Sequence, residues 1–285
     1  MTFRTIVDIP KPNFEIQPCE EMLFIGSCFA DNIGQRFRDE GFPVTINPFG
    51  TMYNPASILH TVQRLFAPST PENSGGLPRT VFLTLGTNHV YRLKETGEIV
   101  DNCEKRPATL FTEEELTVDQ CADYLRQTIA LLRQRNADVR IVLTVSPIRY
   151  RKYGYHESQL SKATLLLAVS SLMHSDSVVA YFPAYEILMD ELRDYRFYAA
   201  DMLHPSPQAV DFLWERLVET YFSEAAKHFL DEWRPIRQAL AHKPFDPESP
   251  DYLRFRRQTL ENLHNLQLKY PQLALIENRT FLPFC

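Results

Sequence analysis

The chain has 285 residues, of which 44% are hydrophobic and 23% charged, proportions that suit a globular protein with a sizeable core. The formal net charge of −6 and a pI near 5.8 exclude a broadly basic surface of the kind that binds nucleic acid. The N-terminal residues lack the apolar stretch of a signal peptide, and no run of about 18 uncharged apolar residues occurs, so we expect a cytoplasmic protein without membrane contacts.

The N-terminal part of the chain alternates strand and helix patterns. Residues 22–26 (MLFIG) form an apolar run that ends in glycine, which predicts a buried strand. The helix predicted at 29–38 carries apolar residues spaced four apart on one face. The next predicted elements are a strand at 43–47, a helix at 55–66, an exposed loop at 67–79 and a strand at 80–85.

The alternation continues through the middle of the chain. Residues 118–135 carry an apolar stripe at helical spacing, and 139–145 form a β-branched strand that stops at Ser146-Pro147. A helix at 161–173, a strand at 177–182 and one long helix at 208–230 follow. Strands that alternate with helices imply βαβ units, and therefore a parallel sheet covered by helices on both faces.

The C-terminal part departs from this pattern. It is charged, helical in tendency and interrupted by the proline-rich stretch 243–247. We therefore interpret residues 1–224 as an α/β domain and residues 225–285 as a helical extension that packs on the same domain.

Polar residues follow the predicted strands at the end where open parallel sheets bind ligands. These groups are Gly26-Ser27-Cys28, Asn47-Pro48-Phe49-Gly50, Gly86-Thr87-Asn88-His89, Ser146-Pro147-Ile148-Arg149 and, beyond the fifth strand, Asp201-Met202-Leu203-His204. We expect them to converge on one edge of the sheet.

This set of side chains suits nucleophilic acyl chemistry. Ser27 is the predicted nucleophile, because a serine hydroxyl becomes reactive when a base within hydrogen-bond reach removes its proton. His204 is the predicted base, and Asp201 would orient its ring through the other nitrogen. The backbone N–H groups of Ser27 and Gly50 and the side chain of Asn88 are the predicted oxyanion-hole donors.

The motif Gly-Ser-Cys-Phe-Ala at 26–30 is the sequence that gives the GSCFA family its name, and the chain resembles that family over most of its length. Supporting stretches are Asn47-Pro48-Phe49-Gly50, Thr84-Leu85-Gly86-Thr87, Asn102-Cys103, Ser146-Pro147-Ile148-Arg149, Ser161-Lys162-Ala163, Phe197-Tyr198-Ala199-Ala200-Asp201 and His204-Pro205.

The GSCFA family in turn resembles the SGNH/GDSL hydrolases. That resemblance implies a three-layer α/β/α sandwich with a parallel sheet, SGNH- or flavodoxin-like in type, and a serine, glycine, asparagine and histidine that fall on Ser27, Gly50, Asn88 and His204, with Asp201 completing the triad. Two blocks depart from the SGNH pattern: Gly-Ser-Cys stands where Gly-Asp-Ser is typical, and Gly-Thr-Asn-His where Gly-x-Asn-Asp is typical.

Each residue of the predicted site also has a structural interpretation. Ser27 and Asp201 are both suited to cap a helix, and Gly50 is suited to end a turn. Cys28 is a rival nucleophile, since a helix N-terminus stabilises a thiolate. We expect Ser27 to be presented at the edge of the sheet, because it directly follows the strand-ending glycine, and Cys28 to turn toward packing.

The substrate is expected to be a small-molecule or carbohydrate ester. Arg149 suits an anionic substrate group, although a structural ion pair would account for it equally well, and Asn47 and Tyr53 are further candidate contacts. No CxxC or HExxH spacing occurs, so we predict reduced thiols and neither a metal nor a cofactor. The expected function is a serine esterase. An O-acyltransferase that uses the same triad and a non-catalytic binding module are the alternatives.

Overall fold

The computed structural model describes residues 4–67, 77–101, 103, 105–175 and 179–273. Its strands are β1 (Met22–Gly26), β2 (Val44–Ile46), β3 (Thr80–Leu85), β4 (His89–Leu93), β5 (Ile99–Val100), β6 (Phe111–Glu115), β7 (Arg140–Val145) and β8 (Val179–Tyr181). Its helices are α1 (Cys28–Asp39), α2 (Pro55–Leu65), α3 (Val118–Arg135), α4 (Tyr155–Ser175), α5 (Ala184–Glu186), α6 (Pro207–Tyr221), α7 (Glu224–Leu240) and α8 (Pro250–Lys269).

Five strands form a parallel sheet in the order β2-β1-β3-β7-β8. Gly26 of β1 pairs with Thr84 of β3, which pairs in turn with Thr144 of β7, so these three strands end together. The chain runs outward from β1 to β2 and then returns to the other side of β1, which places the switch point between β1 and β3. This arrangement confirms the predicted α/β sandwich with a flavodoxin-like parallel sheet.

Alternate residues of the central strands enter two separate cores, as expected for a sheet that is covered on both faces. Phe24 and Phe82 point to the core that contains α1, α6 and α7. Ile25 and Leu83 point to the core that contains α2, α3 and α4. The chain therefore buries nearly every residue of β1 and β3, and polar groups collect where the strands end.

The single long helix predicted at 208–230 is wrong. The structure has two helices, α6 and α7, separated by Phe222 in an extended conformation and by Ser223, whose side chain caps α7. The N-terminal segment causes the break, because Ile16 accepts a hydrogen bond from the backbone N–H of Ser223 and donates one to the carbonyl of Tyr221. The helix predicted at 161–173 begins earlier, at Tyr155.

A second, antiparallel sheet was not predicted. It has the strand order β5-β4-β6 and lies between β3 and α3 in the chain. Its third strand reads FTEEE and exposes most of its residues, so the pattern of alternating apolar residues that would identify it is absent.

Some predictions fall on residues outside the described part of the chain. Those residues are 68–76 of the predicted loop, Asn102 of the family motifs, residues 177 and 178 of the predicted fifth strand, and the segment 274–285 with Cys285.

The C-terminal helices pack against the α1 side of the sheet. The indole N–H of Trp233, on α7, donates to the carbonyl of Asp39 at 3.0 Å, and the ring of Phe229 lies 5.7 Å from that of Phe42. Leu263 of α8 belongs to the same core. The division after residue 224 falls at the first residue of α7, and the assignment of residues 225–285 as an extension of the same domain stays a prediction. Among the described helices, none is both long enough and apolar enough to cross a bilayer.

Candidate functional site

The first strand ends in a glycine for a steric reason. Gly26 has φ +141°, and a methyl group at this position would lie 2.1 Å from the carbonyl oxygen of Thr84. Only glycine therefore lets β1 stay paired with β3 up to its last residue. The backbone N–H of Ser27 continues the pairing and donates to the same Thr84 carbonyl at 3.0 Å.

Ser27 is fully buried. It is the N-cap of α1, where its Oγ accepts a hydrogen bond from the N–H of Phe29 at 3.3 Å and lies 3.0 Å from the Thr84 hydroxyl. The expectation that Ser27 is presented at the edge of the sheet is therefore wrong for this conformation. The physical reason is the cap itself, because a capping side chain turns back toward the free N–H groups of its own helix.

Cys28 is partly buried and packs against the core on the α1 side, in line with the expectation that it would turn toward packing, but unlike Ser27 it remains partly exposed. It is the first residue of α1, so its N–H has no acceptor within the helix. Its Sγ lies 3.4 Å from the hydroxyl of Tyr53, within hydrogen-bond distance. Tyr53 is itself exposed, and burial of its hydroxyl and the contact with Cys28 raise the pKa of Tyr53. The phenol therefore stays protonated and is able to donate to a thiolate.

Asn47 directly follows β2 and hydrogen-bonds to the last residue of β1 and to the first turn of α1. Its Oδ1 accepts from the N–H of Gly26 at 2.8 Å, and its Nδ2 donates to Asp31 of α1 at 2.8 Å. The two polar atoms of the amide thus have partners inside the protein. These contacts account for the asparagine without a substrate.

The three predicted oxyanion donors are engaged in internal hydrogen bonds. The single N–H of Ser27 bonds to Thr84, and that of Gly50 bonds to the carbonyl of Asn47 at 2.8 Å. The side chain of Asn88 is buried and donates to the carbonyl of Leu116 at 2.8 Å. The single N–H groups of Ser27 and Gly50 are therefore not free to reach an oxyanion in this conformation, whereas the Asn88 amide keeps a second N–H, and the oxyanion-hole assignment stays a prediction.

Asp201 and His204 form a tight pair. Nδ1 of His204 lies 2.6 Å from Oδ2 of Asp201, and the other carboxylate oxygen accepts the backbone N–H groups of Leu203 and His204. These two N–H groups and the imidazole hold the pKa of Asp201 down at about 2. The carboxylate is thus ionised at neutral pH and fixes the ring orientation, which leaves Nε2 as the nitrogen that can accept a proton.

The loop that carries His204 is attached to the exit of β7. The backbone N–H of Arg149 donates to the carbonyl of Leu203 at 3.0 Å, and its guanidinium donates to the carbonyl of Met202 at 3.1 Å. The loop thus lies beside residues that follow β7, at the same edge of the sheet as Ser27 and Cys28. Within the described residues, no hydrogen bond joins His204 to either side chain.

Tyr150 follows Arg149 in the chain, and its hydroxyl approaches Ser27 beside Gly86. A methyl group at Gly86 would lie 2.6 Å from the Tyr150 hydroxyl and 3.3 Å from Cβ of Ser27, so the glycine allows a close approach. The hydroxyl is buried and has no hydrogen-bond partner in the described residues. Burial raises the pKa of Tyr150, so its unused proton is a free donor at this edge.

Lys162 is the residue that sequence reasoning undervalued. It is buried, and its Nζ donates to the carbonyls of Gly86 at 2.7 Å and Ser146 at 2.8 Å, the residues that directly follow β3 and β7. Burial lowers the pKa of Lys162 to about 7. A lysine at the start of the mainly apolar stretch 163–169 of α4 was the available signal, since a charged side chain is rarely buried without a partner.

A cavity of about 270 Å³ lies beside the His204 loop. Arg149 and Lys162 both line it, together with Tyr155, Tyr185, Tyr195 and Tyr198. The described residues contain no cluster of three or more His, Cys, Asp or Glu side chains that could hold a metal ion.

Comparison with known proteins gives a family match over most of the chain. The GSCFA family model matches residues 21–77 and 78–217, and a model described as the C-terminal domain of GSCFA domain proteins matches residues 233–282. No curated protein matches the chain.

Several solved structures are similar to the chain. One is a member of the lipolytic G-D-S-L family from Veillonella parvula, with 14% identity, 70% of this chain and 97% of that chain covered, and a TM-score of 0.44. A GDSL-like lipase from Bacteroides thetaiotaomicron has 14% identity, coverage of 72% and 89%, and a TM-score of 0.44. A catalytic mutant of an acetylxylan esterase from Geobacillus stearothermophilus has 13% identity, coverage of 74% and 98%, and a TM-score of 0.45.

Proposed function

The chain belongs to the GSCFA family, and on this premise we propose that it cleaves acyl esters with His204 as the general base. The observation that carries the proposal is the 2.6 Å contact between His204 and Asp201, in a loop attached to the sheet edge where α1 begins. An ionised carboxylate on one ring nitrogen leaves the other to take a proton from a nucleophile and return it to the leaving alcohol.

Ser27 is the nucleophile that the family pattern assigns. Attack by its Oγ requires the hydroxyl to leave Thr84 and reach His204, because both of its present contacts are internal. The acyl group would then form an ester with Ser27, the alcohol would leave with the proton from His204, and water would release the acid.

Cys28 is the second candidate nucleophile, and its exposure favours it. Its side chain reaches the surface beside Tyr53 while Ser27 is fully buried, and the Tyr53 hydroxyl lies within hydrogen-bond distance of its Sγ. Aligning the glycines of Gly26-Ser27-Cys28 and the SGNH block Gly-Asp-Ser also puts Cys28 at the position of the SGNH serine. In this variant, His204 takes the thiol proton and the acyl intermediate is a thioester.

Hydrolysis of p-nitrophenyl acetate by single variants tests the proposal. We expect His204→Ala to lower kcat/KM by about 10²–10⁴-fold, the usual contribution of a general base. His156→Ala, which alters an exposed histidine, is the matched control and should leave the rate unchanged. Equal rates for wild type and His204→Ala would refute the proposed function.

Two covalent probes assign the nucleophile. A fluorophosphonate should label wild type and not Ser27→Ala if Ser27 attacks, whereas iodoacetamide should inactivate wild type, and Cys28→Ala should itself be inactive, if Cys28 attacks. Cys28→Ser separates the cases further, because it should stay active if Ser27 attacks and should lose most of its activity if Cys28 attacks. Full activity in Ser27→Ala and in Cys28→Ala would exclude both assignments.

The acyl acceptor is a separate question. Water gives an esterase and a second alcohol gives an O-acyltransferase, and the same pair of side chains serves both reactions. Product analysis with added sugar acceptors distinguishes them, and release of free acid alone would support hydrolysis.

A further inference from the structure

The cavity beside the His204 loop has a charged and aromatic lining. Its walls come from the exit of β7, the first half of α4, the helical segment after β8 and the chain around Tyr195. The lining residues are Ile148, Arg149, Tyr155, Ser158, Gln159, Lys162, Tyr185, Leu188, Met189, Arg193, Asp194, Tyr195 and Tyr198. A volume of about 270 Å³ is just below the range of about 300–1,000 Å³ that is usual for small-molecule sites, so the cavity suits a small ligand.

Arg149 supplies an unneutralised positive charge to this cavity. Its guanidinium lies 4.2 Å from the ring centre of Tyr155 and 5.3 Å from that of Tyr198, so aromatic rings hold it in place. One nitrogen donates to the carbonyl of Met202, and no carboxylate in the described residues lies within ion-pair distance of it. The remaining N–H groups form a planar fork, which matches a carboxylate.

The other ionisable groups of the lining do not cancel this charge. Lys162 adds a buried amine, and Arg193 is 3.5 Å from Asp190. The single acid of the lining, Asp194, accepts the backbone N–H of Arg196 and lies 3.5 Å from its guanidinium. An anionic ligand is therefore favoured over a cationic one.

The aromatic groups at the cavity suggest a sugar ring. Tyr155 is 47% exposed and Tyr195 is 69% exposed, so both side chains are accessible to a ligand, although Arg149 covers one face of the Tyr155 ring. Ser158 and Gln159 add polar groups to the same lining. Flat apolar faces next to hydrogen-bonding side chains suit a pyranose, which has apolar C–H faces and hydroxyls at its edge.

We propose that this cavity binds a sugar that carries a carboxylate, with Arg149 pairing with the carboxylate and Tyr155 and Tyr195 contacting the ring. The His204 loop borders the cavity through Tyr198, whose backbone pairs with Pro205, so a sugar bound here lies beside the loop that carries the proposed base. That the sugar is the alcohol part of the substrate rests on the proposed function. The binding itself does not.

Calorimetric titration with three probes tests the binding: D-glucuronate, D-glucose and glucose 6-phosphate. Wild type should bind glucuronate at least about tenfold more tightly than glucose, the effect of one charge-assisted contact. Arg149→Gln should lose this preference, Arg149→Lys should keep part of it, and Arg151→Gln, an exposed neighbour, should keep all of it. Equal binding of glucuronate and glucose, or tighter binding of the phosphate, would overturn the proposal.

Two further variants guard against a merely structural effect of Arg149. Tyr195→Ala should weaken glucuronate and glucose by the same factor, because this ring contacts the part that the two sugars share. Tyr155→Ala also removes a ring that holds Arg149, so it should weaken glucuronate more than glucose. A loss confined to glucuronate in Tyr195→Ala would contradict the assigned geometry.

The His204→Ala variant separates this inference from the proposed function. It should bind glucuronate as wild type does. If wild type binds glucuronate but hydrolyses no acetylated sugar, the cavity assignment is supported and the esterase function is refuted. Equal rates of hydrolysis of acetylated glucuronate and acetylated glucose, together with no binding of glucuronate, would support the esterase function and refute the cavity assignment.

Discussion

Ser27 and Cys28 are neighbours in sequence but lie in different environments. Gly26 pairs with Thr84 across the sheet, and Ser27 follows it inward to cap α1, while Cys28 emerges at the first turn of the helix. A change of direction at a single residue therefore decides which of two nucleophiles meets solvent. The hydrogen bonds around Gly26 fix the direction in which the chain leaves β1.

Gly26→Ala tests this steric account. The new methyl group would meet the Thr84 carbonyl at 2.1 Å in a backbone conformation that favours glycine, so we expect a loss of about 2–5 kcal/mol in the free energy of unfolding. Gly50→Ala is the control: its φ is also positive, at +92°, but nothing lies within 4 Å of the added methyl, so about 1–2 kcal/mol is expected. Urea denaturation measures both, and equal losses would contradict the steric account.

At the scale of elements, Lys162 connects α4 to the ends of two strands. Its Nζ bonds the carbonyls of Gly86 and Ser146, which lie beyond the last paired residues of β3 and β7 and have no strand partner of their own there. A buried lysine is costly when it is charged, and the lowered pKa near 7 shows that cost. The edge of the sheet is therefore held by a group whose charge depends on pH.

Lys162→Met should change how stability depends on pH. The lysine has a pKa of 10.5 in the unfolded chain and about 7 when folded, so between these values the unfolded state binds more protons and wild-type stability rises with pH. The methionine variant lacks this contribution. The free energy difference between the two should therefore move in favour of wild type by a few kcal/mol from pH 7 to pH 10.

Urea denaturation across that range measures the effect, with Lys243→Met as the control because Lys243 is exposed. At pH 9 the Lys162 variant should be less stable by about 2–5 kcal/mol, since two carbonyls lose their donor. A difference that stays constant with pH would show that Lys162 is not buried in the way the structure has it.

At the scale of the whole molecule, the C-terminal helices complete the core on the α1 side. Trp233 of α7 is 1% exposed and lies against the end of α1, and Leu263 and Leu266 of α8 add to the same core. The two family models divide the chain near α7, whereas the packing crosses that division. We therefore expect both parts to unfold together.

Trp233→Ala should destabilise the whole chain by about 3–5 kcal/mol, because it removes a large buried side chain and leaves a cavity. Leu268→Ala, on the exposed side of α8, should stay within about 0.5 kcal/mol of wild type. Thermal unfolding followed by circular dichroism should show one transition in both variants. Two separate transitions for Trp233→Ala would indicate that the C-terminal helices form their own unit.

The sequence by itself determined the alternation of strands and helices, because buried strands and amphipathic helices carry local periodicities that do not depend on distant residues. It also located Asp201 and His204, whose contact spans three residues. It failed for the helix break at Phe222 and Ser223, which hydrogen bonds to Ile16 impose from a distant part of the chain.

Only the tertiary structure decided what each polar group at the sheet edge can reach. Ser27 is buried because Thr84 lies across the sheet from Gly26, and Lys162 is buried because two strands end beside α4. The cavity around Arg149 likewise needs segments that are far apart in sequence. Burial and hydrogen bonding of this kind depend on neighbours in space, and one-dimensional patterns carry no information about them.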